Sequence, residues 1–160
     1  MPQFTKEQIK EISEQLDCGF KAFYHKITGD LVFIPDTDRY MSIDTTVWKE
    51  ELNLLKKHYK DYQEISAMEA KDSIRMMTDF TEEITDEKLK SKLSAALGRN
   101  RPFGDFKIVI GNSGECRQRW FDFKNKRYIE WTEEQIKAHV EIEEYEKAMV
   151  KTPRAPRKAE

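Results

Sequence analysis

Residues 99–131 read RNRPFGDFKIVIGNSGECRQRWFDFKNKRYIEW, the densest interleaving of aromatic and arginine residues in the chain. Two readings compete for this stretch. Exposed rings with aligned cations would make a nucleic-acid surface, because bases stack on rings and phosphates meet guanidinium groups. Buried rings would instead make it two ordinary amphipathic helices. The spacing favours burial. Phe103, Phe106 and Ile110 recur at helical steps, Trp120 and Phe123 lie one turn apart, and GNSG between them reads as a turn. Pro102 fits the first turn of a helix, where its missing amide costs nothing. Each ring buries about 150–250 Å², so exposing several would forfeit much of a small domain's stability. Lys107, Arg117, Arg119, Lys124 and Lys126 are then expected on the opposite, solvated face, and only the cations remain candidates for binding.

Outward from this stretch, the rest of the chain falls into short elements. Thr5 followed by Gln8 predicts a capping box, and Ile9, Ile12 and Leu16 continue as a helix that Gly19 closes. Residues 20–27 and 31–35 predict a hairpin turning at Gly29, and 61–66 a third strand. Trp48, Leu52, Leu55 and Tyr59 predict a helical face. Ile74, Met77, Phe80 and Ile84 predict a second, and Leu89, Leu93 and Leu97 a third. A long helix begins near Glu115, with Trp120, Phe123 and Arg127 on one line and Phe121, Tyr128 and Ile142 near another. The expected fold is α+β and helix-dominated: a small antiparallel sheet packed by several helices over residues 1–147. Residues 148–160, rich in cations and holding two prolines, read as a disordered tail.

LDCGFKAFYHKITGD, a short third strand, SIRMMTDF, RPFGDFK and RQRWFDFKNKR follow one another in an order that resembles the bacterial UPF0158 family of uncharacterised proteins. The resemblance spans roughly residues 5–131. It implies a small intracellular bacterial protein and supplies no catalytic residue to carry over. The chain departs from it in its acidic extension, its basic tail and Gly104, a helix-weakening residue.

Composition and motifs narrow the function further. Charge is uneven: residues 98–131 carry eight basic and four acidic side chains, and residues 132–150 two basic and six acidic. The basic block is thus expected to meet the acidic helix 132–147, the acidic N-terminal half or an acidic partner. No apolar run reaches the 18 or so residues of a membrane span, and two cysteines do not make a disulfide scaffold, so a cytoplasmic setting is expected. Cys18 reads as a small buried residue at a helix-to-strand junction, and Cys116 as an inert thiol despite neighbouring arginines. His25, His58 and His139 are too dispersed to share a metal. Asp36, Asp38 and Asp44 lack the calcium-loop pattern and read as turn and cap residues. Glu82, Glu83, Asp86 and Glu87 read as a solvated helix start. No phosphate-binding, dinucleotide or nucleophile-elbow motif occurs, so no cofactor and no catalysis are expected. The expectation is a non-enzymatic module with a protein partner. The alternative is a weak nucleic-acid binder using Arg101, Arg117, Arg119, Lys124 and Arg127.

Overall fold

A computed structural model describes residues 2–39 and 42–151. Helix α1 (Lys6–Asp17) begins at the expected capping box. Thr5 N donates to Gln8 Oε1 at 2.9 Å, and Gln8 N donates to Thr5 Oγ1 at 3.2 Å. Gly19, at φ +89°, turns the chain out of α1 into β1 (Phe20–His25). The hairpin then closes on β2 (Leu31–Pro35) through Gly29, at φ +77°. No other residue suits that turn, because a Cβ there would also come within 2.9 Å of Pro2.

The sequence leaves the partner of the third strand open, and the structure resolves it. β3 (Tyr62–Ile65) pairs antiparallel with β1, giving the order β2-β1-β3 with β1 in the centre. Along β1 the side chains alternate. Ala22 and Tyr24 enter the main core, while Phe23, opposite Val32, faces the other way. Val32 and Leu55 are buried outside that core, where α2 (Lys49–Lys57) lies along β2. The helix expected from Trp48 is shorter than its apolar spacing suggests. Thr45–Trp48 form a 3₁₀ turn, and Tyr59 lies beyond the helix end, exposed.

Helices α3 (Ala70–Glu82), α4 (Glu87–Leu97) and α5 (Pro102–Gly111) follow, and α4 starts at Asp86, whose carboxylate accepts from Lys88 N and Leu89 N. The last element, α6 (Cys116–Lys151), is one continuous helix of 36 residues, about 54 Å long. It is the spine of the fold. α1, α3, α5 and β3 all pack on it.

The aromatic stretch is core, as its spacing predicts. Trp120 stands 4.9 Å from Phe106 and 5.2 Å from Phe80 between ring centroids, and Phe123 stands 5.3 Å from Phe80. These edge-on and tilted contacts suit the ring quadrupoles. Phe103 does not join them. It is 38% exposed, whereas Phe106 is fully buried.

Between α1 and α6 the core is polar. Thr132 Oγ1 lies 2.9 Å from Ser13 Oγ and 2.9 Å from Tyr128 O, and Ser13 Oγ lies 2.7 Å from Ile9 O. Two small hydroxyls let these helices approach while each proton finds an acceptor. Thr132→Val keeps the shape and leaves Ser13 its bond to Ile9. The expected loss is therefore only about 1 kcal/mol of unfolding free energy, read from urea denaturation. A loss of several kcal/mol would mean the hydroxyl pair acts as an inseparable network.

Candidate functional site

The five candidate cations do not share one surface. Arg117 and Arg119 are two residues apart on α6, about 200° around its axis, and so point to opposite sides. Arg117 lies over the Phe121 ring at 5.5 Å. Lys124 Nζ meets Asp17 of α1 at 3.0 Å. Arg127 Nη2 meets Asp79 of α3 at 2.7 Å, and its guanidinium covers the Phe123 ring at 5.5 Å. Arg101 stands apart, in the connection before α5. Thus two candidates tie the spine to the acidic N-terminal half of the chain. Because α6 is continuous, its basic first half cannot fold back on its acidic second half.

A groove opens where α1, α3, α5 and α6 converge, with a volume of about 410 Å³. Met68, Met76, Met77, Phe106, Trp120 and Tyr128 form its floor. Asp17, Arg39, Lys107 and Lys124 edge it, with Phe103 at the α5 side. Lys107 is thus not opposite the α5 aromatics, as expected from sequence. It lies one turn beyond Phe103, about 40° around the helix, and shares its side. Arg39 is fixed by donating from Nη2 to Met68 O at 2.7 Å, with Asp36 at 3.7 Å from Nε.

The distal part of α6 is the second conspicuous surface. Near its middle His139 meets Tyr24 of β1, 6.3 Å between ring centroids, and one turn on Glu143 is half-buried and its charge reaches Tyr24. Beyond Glu143 every described residue is exposed. Ala138, Ile142, Tyr145 and Met149 follow at steps of four, three and four, so they form one stripe. Ile142, Tyr145 and Met149 are 57, 67 and 60% exposed. Ile142 therefore does not share the buried line of Tyr128. Glu141 and Glu146 flank the stripe, and Glu143 and Glu144 lie on the far side of the helix. The helix extends through Lys151, and residues 152–160, which hold most of the expected tail, lie outside the described residues.

Among the described residues, surroundings clearly shift the titration of Tyr24, Asp44 and His139. Burial pushes the His139 imidazole below the usual histidine range, and its Nδ1 is buried with no hydrogen-bond partner among the described residues. The folded state therefore favours neutral His139. As pH falls through about 6.5, the unfolded chain takes up a proton that the folded chain holds less readily, and stability is lost. That contribution is complete above this range. His139→Phe is expected to flatten the acid-side loss of urea midpoint between about pH 7.5 and 5.5, and an unchanged slope would refute the assignment.

The remaining candidates have structural explanations. Asp36 Oδ1 accepts from Asp38 N at 3.1 Å, and Asp44 Oδ1 accepts from Thr46 N at 2.9 Å. The bonds from Thr46, side chain and then backbone, hold the Asp44 carboxyl below its usual range. Cys116 is buried, but Cys18 is exposed, contrary to expectation. The chain leaves α1 there, and Gly19 turns the backbone so that its cysteine neighbour stays outside the core. Among the described residues, no three His, Cys, Asp or Glu side chains are placed to hold a metal ion. No described helix is long and apolar enough to cross a membrane.

The model of the uncharacterised protein family UPF0158 matches residues 3–152, from before α1 to just beyond the end of α6. The chain belongs to the UPF0158 family. The UPF0158 match covers the sheet, the groove and the distal helix together, as one unit. No curated protein and no solved structure matches this UPF0158 chain.

Proposed function

We propose that this UPF0158 protein is a non-enzymatic, intracellular interaction module that docks on a protein partner through the distal half of α6. One observation carries this reading. An amphipathic helix overhangs its own fold, with Ile142, Tyr145 and Met149 on one exposed stripe. Solvent gives no reason for large apolar residues to fall in register, whereas a partner groove reads such a 4-3-4 pattern as anchors. The glutamates beside the stripe define the chemistry of the partner, an apolar groove with cationic edges.

Nucleic-acid binding through Arg101, Arg117, Arg119, Lys124 and Arg127 has less support. It needs cations aimed together at one backbone, and these point apart or are paired within the chain.

A photo-cross-linking residue placed at Tyr145, and separately at exposed Glu7 on α1, tests the docking reading in cells. The expected result is a discrete adduct at 145 that is missing at 7, with the partner identified by mass. Equal labelling at both positions, or none at 145, would sink it.

A further inference from the structure

We propose that the groove between α1, α3, α5 and α6 is a binding site for a small organic anion with a planar apolar body, such as an aromatic carboxylate. The first support is its charge. Two of its three cations already have carboxylate partners: Lys124 has Asp17 at 3.0 Å, and Arg39 has Asp36 at 3.7 Å. Lys107 lines the groove and has no ion pair among the described residues, so one rim cation lacks a carboxylate of its own above an apolar floor. A ligand carboxylate would supply the partner that Lys107 lacks.

The second support is Phe103. A phenylalanine 38% exposed on a helix whose neighbour Phe106 is fully buried has no role in the core. It stands one turn before Lys107 and lines the same groove. A ring and an ammonium at i and i+4 on one side present an apolar face and a charge to the same ligand. Methionine side chains in the floor are flexible and polarizable, and adapt to a flat guest. The volume, about 410 Å³, falls within the range of small-molecule sites.

The first turn of α3, which also lines the groove, is not the anion receptor. Glu69 and Asp72 form its capping box and add negative charge there. Lys107 must therefore receive the carboxylate, with the anchored Arg39 guanidinium lining the same groove.

The site is independent of the distal helix, and the test separates the two. Isothermal titration of the full chain with 2-naphthoate, 2-naphthamide and 2-naphthylmethylamine is the measurement. Saturable binding of the acid is expected, with the amide and amine at least about tenfold weaker, as loss of a charge-assisted contact requires. Lys107→Gln, at an exposed position, is expected to weaken the acid about tenfold and to leave the amide unchanged. Phe103→Ala is expected to weaken both, while Ile142→Ser with Tyr145→Ser changes neither. Thermal melts of each variant confirm that it folds. No saturable binding at millimolar acid, equal binding of acid, amide and amine, or indifference to Lys107→Gln would each overturn the proposal.

Discussion

Phe106→Ala is expected to lower the unfolding free energy by about 3–5 kcal/mol, a large part of what a domain of this size holds. Phe106 is fully buried, and its ring centroid lies 4.9 Å from that of Trp120, which itself leans on Phe80 and Phe123. Truncation removes the transfer free energy of the ring and leaves a void that three large rigid side chains cannot fill without leaving their rotamers. Urea denaturation reads the loss. A companion substitution, Trp120→Ala, has a similar cost, and the double variant loses less than the sum because the two rings share one contact. A loss below about 1 kcal/mol at Phe106 would mean that the rings are not the core. It would also revive the stacking surface as a reading of RNRPFGDFKIVIGNSGECRQRWFDFKNKRYIEW.

The second large effect concerns binding and leaves stability alone. Ile142→Ser, Tyr145→Ser and Met149→Ser together are expected to abolish partner docking and to keep the melting temperature within a degree or two. Each of these side chains is more than half exposed, so little burial within the chain is lost. In a partner groove the same three are anchors, each worth roughly 1–3 kcal/mol, and their joint loss amounts to more than a hundredfold in affinity. Co-purification with the partner found by cross-linking, scored beside a thermal melt, separates the outcomes. Retained capture would remove the stripe from the interface. A fall in melting temperature of several degrees would show that the stripe packs on its own fold instead.

Local periodicity explains what was legible. The Thr5–Gln8 cap, the Gly29 turn and the buried faces around Phe106 and Trp120 depend on neighbours within a turn or two, so the sequence alone yields them. The ion pairs do not have that property. Lys124 finds Asp17 more than a hundred residues away, and Arg127 finds Asp79 across a helix crossing. Only the packing of α1 and α3 on α6 makes these cations structural. Tyr128, Thr132, His139 and Ile142 keep helical spacing, but Ile142 lies past the His139–Tyr24 contact and is exposed, so burial stops where the spacing does not. Lys107 is legible from helix geometry, which places it about 40° from Phe103, although its charge points elsewhere. Cys18 turned outward because a positive-φ glycine follows it, and composition gives no hint of that direction.

The length of α6 has a consequence for how docking is controlled. Past Glu143 the helix runs two more turns with every side chain exposed, Lys147 reaching back to Glu143 at 3.1 Å, and a run of that length is marginal in water without tertiary packing. Amides there are expected to exchange with solvent far sooner than those beside Trp120, and a partner docking there would have to keep the arm wound. In the docking reading, affinity would depend on the helix propensity of exposed positions such as Glu144 as well as on the anchors. The same stripe can grip more or less tightly without any change to the surface that touches the partner.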